Sequence, residues 1–454
     1  MMPSDVHNVE QVANLQKAQA RRAWLDRIDE AEEENKSHFW HNNPDQLITK
    51  STIEPGAFTI GNGDSIYSST ILPALKTAEH EILFVTCFWA RSKCLSQLGE
   101  TLIELSQQSS SRPNGTPKLR VRLCLSSRSL FQKLFHTSSS SGYSYPPSTW
   151  VSKLGLPPPE ALSGLDLEIK SLFFLPFSVM HPKFIIIDRK RALMPSCNLS
   201  YESWLEGCIS LTGRIVSKLV KFWDETWGGE SMPALGHHIE EHAQTTTEML
   251  TTSHTITLLP SPHHRSPRFR PFGSIPHPPV TPLNAYLENV IATAKTEIKI
   301  LTPNLTSKPV MLWLLAALAR GVHVTIITNR RMMVLEQLLT AGTLTEICVW
   351  TFKRRYRNLV DAQVTDLEDG RGTKIGKLSI GYFIPSSLYA KSHLKCTIVD
   401  GEIVVLGSGN MDRASWYTSQ ELGVAVEGRD LVKGVWAKLE EGLERGEVAG
   451  VEWV

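Results

Sequence analysis

The chain has 454 residues, enough for about two to three domains, and its 41% apolar and 20% charged residues supply both a large core and a solvated surface. That balance excludes a disordered chain, a collagen-like repeat and a small disulfide scaffold. Lys and Arg total 47 against 46 Asp and Glu, a formal charge of +1. A global basic field for indiscriminate nucleic-acid capture is therefore absent.

Residues 1–50 begin with a charged, helix-prone stretch, LQKAQARRAWLDRIDEAEEE, and read as an N-terminal helical extension. No apolar core of a signal peptide precedes it, so a cytoplasmic chain is expected. The longest apolar run, VMLWLLAALA over Val310–Ala319, is about half the length of a membrane span. Contact with a membrane would then be peripheral. The 7 cysteines are scattered, with no C-x-x-C pair, and several lie inside apolar runs. They suit buried thiols in a reducing compartment better than structural zinc.

Beyond the extension the chain repeats itself. Residues 77–89, TAEHEILFVTCFW, answer to residues 293–305, TAKTEIKILTPNL. Each is preceded by a helix pattern and followed by a second helix pattern and a second strand pattern (LRVRLCLS; VHVTIITN). That order predicts α/β units with a mainly parallel or mixed sheet. Farther on, VMHPKFIIID ends at Asp188 and KSHLKCTIVD at Asp400. A Ser-x-Asn, a Trp and a Glu follow in both, and RIVSKLVKFWDETW and RDLVKGVWAKLEEGLERG predict a closing helix for each half. Two homologous lobes are expected, 51–236 and 276–454. The first holds a Ser- and Pro-rich insertion at 126–166, and a His- and Pro-rich segment, 237–275, reads as a solvated linker, its histidines too irregularly spaced for a metal site.

The repeated string is His181-x-Lys183-x4-Asp188-x7-Ser196-x-Asn198 in the first half and His393-x-Lys395-x4-Asp400-x6-Gly407-Ser408-x-Asn410 in the second. On an extended chain, residues two apart share a face, so each His and Lys project together. The Ser-x-Asn can set a hydroxyl and an amide beside them, a set suited to a phosphate oxyanion. One such string arises by chance in this length on the order of once in ten thousand sequences. Its recurrence in register removes the reading of a merely packed histidine and a surface lysine.

These strings resemble the paired HKD motifs of the phospholipase D superfamily, in the branch similar to cardiolipin synthase, from about residue 55 to 440. The first departs from the pattern at Pro195, where the family has Gly; proline lacks an N–H and fixes its φ. The resemblance implies two homologous lobes around one active site. It implies that His181 is the nucleophile that forms a phosphohistidine, that His393 is the general acid, and that Lys183 and Lys395 neutralise the phosphate. Asn198 and Asn410 would hydrogen-bond the phosphate oxygens, with Ser196 and Ser408 as further donors. Glu206 and Glu421 match the carboxylates that orient the histidines, and Asp188, Asp400 and Gly407 are the structural positions of the motifs. No metal or other cofactor is expected, since two lysines supply the positive charge.

The function expected is that of a phosphodiesterase or phosphatidyltransferase of a phospholipid, a hydrolase or transferase of lipid metabolism, with no obligate protein partner. The alternatives are a metal-independent nuclease of the same superfamily, which the near-neutral charge disfavours, and a non-catalytic scaffold that binds phosphate ligands, which two complete His–Lys pairs disfavour. One motif stands apart from the repeat: Trp350-Thr-Phe352-Lys353-Arg354-Arg355-Tyr356-Arg357. It reads either as an edge strand kept soluble by charge or as a surface for anionic lipid or a single nucleic-acid strand.

Overall fold

The run EILFVTCF over Glu81–Phe88 is buried along nearly its whole length, so both faces of its sheet must be covered. The computed structural model describes residues 3–31, 36–54, 56–129, 132–133, 135–137, 139–174, 178–228, 253–262, 277–368, 374–444 and 451–453, with side chains described from Leu15 onward and not for 363–368. It is a mixed α/β structure of two lobes built on two large sheets flanked by helices.

In the first sheet, Glu81–Phe88, Leu119–Ser127 and Leu165–Ser171 run parallel. Phe184–Ile187, Arg191–Pro195 and Trp204–Thr212 continue it antiparallel. The second sheet repeats this with Glu297–Leu301, His323–Thr328 and Leu378–Phe383 parallel. Cys396–Val399, Ile403–Gly407 and Glu421–Glu427 then run antiparallel. The duplication legible in the sequence is thus a duplication of strand order.

Both ends of the second sheet's antiparallel side come from unexpected places. Ser253–Ser261, within the stretch read as linker, pairs with Glu421–Glu427, and Ile48–Thr52, at the end of the N-terminal extension, pairs with it in turn. The alternating SHTITLLPS carries a strand signal that the surrounding His-, Pro- and Ser-rich composition masks. The linker histidines other than His254 and His277 lie outside the described residues. The Trp350–Arg357 stretch is not an edge strand: it belongs to a helix, Thr345–Glu368. Buried Cys348, Val349 and Phe352 recur at helical spacing, which outweighs the local alternation of aromatic and polar residues.

One hydrophobic core cluster spans both lobes, and a second lies within the first lobe. Helix Arg214–Trp227, which closes the first lobe, packs against strands of both sheets, and so does helix Arg429–Glu444, which closes the second. Gly442 marks the close approach there: a Cβ would stand 2.6 Å from Ile60 Cδ1 of the first lobe, so that side chain would have to shift. The N-terminal helix, Pro3–Glu30, crosses to the second lobe: Trp24 Nε1 donates to Pro282 O at 3.1 Å, and Arg21 pairs with Glu427 at 2.8 Å. No described helix is long and apolar enough to cross a membrane.

The motif aspartates sit in the tight turns that follow the strands Phe184–Ile187 and Cys396–Val399. Asp188 and Asp400 both adopt the left-handed region, at φ 50° and 53°, which Asp tolerates better than most residues. The Asp188 carboxylate accepts the backbone N–H groups of Glu79, His80 and Glu81 at 2.7–2.8 Å. Asp400 does the same for Lys295, Thr296 and Glu297. Each aspartate therefore pins the start of the central parallel strand to the motif turn. Arg189, also left-handed at φ 55°, is held there by its bond to buried Glu81 at 2.9 Å. Replacing Asp188 by Ala strips three amides of a charged acceptor and is expected to cost about 3 kcal/mol of stability. Denaturant titration of D188A checks this, and an unchanged midpoint would refute the anchoring role.

Candidate active site

Each His-x-Lys lies in extended chain just ahead of a strand, Phe184–Ile187 or Cys396–Val399, and each is docked on the opposite lobe. Lys391–Ser392 pairs in parallel with Trp204–Leu205, and His393 N–H donates to Leu205 O at 2.8 Å. On the other side, His181 N–H donates to Gln420 O at 3.0 Å and Gln420 N–H to Val179 O at 2.9 Å. The next residue along each receiving strand is the glutamate.

Consequently the carboxylates serve crosswise. His393 Nδ1 meets Glu206 Oε1 at 2.8 Å, and His181 Nδ1 meets Glu421 Oε1 and Oε2 at 3.0 and 2.9 Å. With a carboxylate on Nδ1, the neutral ring carries its proton there and leaves the Nε2 lone pair for chemistry. The Trp204 ring packs 4.8 Å from that of His393. His393 is 3% exposed at its side chain and His181 12%.

The serines do not sit as expected. Ser196 donates its hydroxyl to Glu206, and Ser408 donates to Glu421. Ser196 Oγ also accepts Gly207 N–H at 2.9 Å and Ser408 Oγ accepts Leu422 N–H at 3.0 Å. Their hydroxyl protons are committed to the dyad carboxylates rather than to a phosphate oxygen. A hydroxyl beside a buried carboxylate is drawn to it because an ionised acceptor makes the stronger bond. Pro195 leaves this geometry intact: Ser196 N–H donates to Gly207 O at 2.7 Å, as Ser408 N–H does to Leu422 O at 2.9 Å. In the second lobe Gly407 is needed, since a Cβ would stand 2.4 Å from Leu422 O.

Lys183 Nζ donates to His181 O at 2.9 Å and Lys395 Nζ to His393 O at 2.6 Å, so each ammonium is folded back beside its own histidine. Asn198 Oδ1 accepts Phe88 N–H at 3.3 Å, which leaves its NH2 group to donate. Asn410 spends one N–H on Asp412 at 2.9 Å, and its Oδ1 is buried without a partner among the described residues.

The two motifs form one electrostatic unit. Burial lowers both imidazoles, against the pull of Glu421 on His181 and of Glu206 on His393, and the neighbouring lysines lower them further. Burial alone would raise Glu206 and Glu421. Their histidines, the hydrogen bonds to them and the serine hydroxyls outweigh it and hold both carboxyls below the usual range. The resting dyads are therefore neutral imidazole on ionised carboxylate. Lys395 is pushed down to about 7, first by burial and then by Lys183, with Glu206 opposing.

Sequence reasoning missed four contributors. Trp204 was visible only as part of the repeat. Asp412, whose carboxyl burial raises, follows Asn410 by two residues where the first lobe has Ser200, so the repeat gave no cue. Desolvation and then the charges of Asp412 and Glu421 raise the carboxyl of Glu336, and Lys133 of the insertion opposes them. Nothing local in the sequence marks Glu336 or Lys133. Among the described residues no cluster could hold a metal ion.

Residues 287–442 match the family model described as cardiolipin synthase, phospholipase D-like domain. The chain is 26% identical over 170 residues to the minor cardiolipin synthase ClsB of Bacillus subtilis, which covers 37% of this chain and 35% of that protein. It thus spans about a third of the length of that curated relative. The crystal structure of phosphatidylserine synthase from Haemophilus influenzae superposes with a TM-score of 0.56 at 12% identity, over 91% of both chains, a likeness of fold. The second lobe thus carries a domain similar to the phospholipase D-like domain of cardiolipin synthases, and the first lobe repeats its motif.

Proposed function

We propose that the chain cleaves a phospholipid phosphodiester by transferring the phosphatidyl group to His181 and then to water or an alcohol. The observation that carries this reading is the pair of crossed His–Glu dyads with two lysines in one buried site. The cardiolipin-synthase-type domain supports the choice of a phospholipid over other phosphodiesters.

His181 Nε2 attacks phosphorus, and a P–N bond forms as the P–O bond to the leaving alcohol breaks. His393 gives its Nε2 proton to that oxygen, which leaves as the neutral alcohol. In the second half the incoming hydroxyl loses its proton to His393 and attacks phosphorus, and the P–N bond breaks. Glu421 holds the ring of His181 and compensates its positive charge as the P–N bond forms. Glu206 steadies the His393 imidazolium. Lys183 and Lys395 neutralise the non-bridging oxygens, and the amide of Asn198 adds a neutral donor. At rest and below a pH of about 7, two ammoniums balance two dyad carboxylates. The phosphodiester's negative charge then favours uptake of the proton that His393 must carry, so a histidine that is neutral when the site is empty can act as the acid when it is filled.

Two outcomes are expected. His181→Ala and His393→Ala each lower turnover of a phospholipid by about 10⁴-fold or more. Acid quench of the wild-type reaction traps a phosphoryl adduct on His181; an adduct on His393 would reverse the roles, and normal turnover in both variants would discard the scheme. The second concerns pH. Lys395 must be charged to hold the phosphate, and in the empty site that charge is present below about 7 and lost as pH rises. kcat/KM, which reports the empty enzyme, should fall on the alkaline side with a midpoint near there, while kcat falls at higher pH because bound phosphate keeps the ammonium protonated. Coincident limbs would show that Lys395 does not titrate. Chelators should leave both profiles unchanged.

A further inference from the structure

Helix Val334–Ala341, VLEQLLTA, presents its apolar side to solvent. Gln337 is the buried residue of this helix: it donates to Asn304 Oδ1 at 3.1 Å and accepts from Thr345 N–H at 2.7 Å. Leu335, Leu338 and Leu339 are 69%, 48% and 49% exposed. An isolated exposed leucine needs no explanation, but three on one short helix form a patch that water disfavours.

This helix stands at the active site. The chain leading into it is tied to the second motif, since Asn329 donates to Ser392 O at 2.8 Å and accepts Ser392 N–H at 2.9 Å, directly beside His393. The helix packs on Arg413–Tyr417, which follows the Asn410 loop. Exposed apolar surface continues around the same rim. Tyr201 and Leu388 are each exposed, two residues ahead of the Ala390 N–H to Ser203 O bond that docks the His393 strand.

After Gly342–Leu344 the chain enters helix Thr345–Glu368, where Trp350 is 62% exposed. Arg354, Arg355 and Arg357 are exposed on the following turns, and the Arg354 guanidinium stands 5.8 Å from the Trp350 ring. Leucines that can enter hydrocarbon, a tryptophan suited to the headgroup level and arginines suited to anionic phosphate make up the sequence of polarities found across a lipid interface.

We propose that the Val334–Ala341 helix and the Trp350–Arg357 stretch form a docking surface that seats on an anionic phospholipid bilayer and faces the cleft toward the headgroups. The inference rests on the phospholipid reading above and adds the surface that delivers the substrate.

The test uses the full chain and vesicles of phosphatidylcholine with or without phosphatidylglycerol. Wild type should co-sediment with the anionic vesicles. Leu338→Glu should weaken that binding about tenfold or more, and Arg354→Glu about fivefold, with raised salt opposing only the arginine contribution. Leu338→Ser serves as the milder variant should glutamate disturb folding. Turnover of a short-chain phospholipid kept monomeric in solution should be unchanged in all three, while turnover of vesicle lipid falls with binding. Equal vesicle binding by wild type and variants overturns the proposal, as does a change in oligomeric state in the leucine variants with vesicle binding intact, which would assign the patch to a second copy of the chain. Variant-sensitive vesicle binding with no turnover of any lipid would uphold the docking surface and reject the phospholipid substrate instead.

Discussion

The hydrogen bonds that cross between the lobes, Glu206 to His393 and Glu421 to His181, are the constraint from which the rest of the site follows. A carboxylate buried as deeply as these would ordinarily take up a proton. Each stays ionised because an imidazole N–H and a serine hydroxyl reach it. Since the imidazole comes from the opposite lobe, neither half can satisfy its own glutamate alone. Separating the lobes would take the imidazole from each acid and leave it only the serine of its own lobe, a cost of several kcal/mol apiece. The machinery that orients the histidines is therefore also part of what holds the halves together.

The exchange of carboxylates is one case of a pattern that runs through the fold. The closing helix of each lobe packs on both sheets. Lys391–Ser392 adds a short strand to the first sheet, and the N-terminal helix is tied to the second lobe by Trp24 and Arg21. One core cluster runs through both copies of the unit, and a second lies within the first. Such packing matters for the proposed transfer, in which two imidazoles address opposite sides of one phosphorus atom, because a displacement of about 1 Å can cost about 10²-fold in rate.

What the sequence disclosed was what local spacing controls. His and Lys lie in the extended chain ahead of one strand and Asp in the turn after it, so their intervals are set locally and stand out in both halves. The Ser-x-Asn follows on the neighbouring strand. The partner of each histidine was not legible, because docking of one lobe on the other leaves no interval along the chain. Glu206 even lies three residues closer to its motif than Glu421 does to its own. The serines were misread for a related reason: a hydroxyl beside a phosphate site suits the substrate, and only the position of the glutamates shows that it is already engaged. Trp350–Arg357 alternates aromatic and polar residues over too few positions to distinguish a strand from a helix whose buried stripe begins at Cys348. The strand Ser253–Ser261 was hidden by the composition on either side of it.

Duplication supplies two chemically equal imidazoles, so any division of labour between them must come from their surroundings. His393 lies under the Trp204 ring and is nearly closed off, whereas His181 keeps some access to solvent. Burial depresses the basicity of both imidazoles in the empty site. In the proposed reaction the one that acts as acid depends on the charge that a bound phosphodiester brings. In that scheme the proton acquired with substrate goes to the leaving oxygen, and the more open His181 is the nucleophile. The asymmetry thus lies not in the motifs, which are nearly identical, but in the placement of a tryptophan: Trp204 packs on His393, whereas its counterpart Trp416 packs on Trp313.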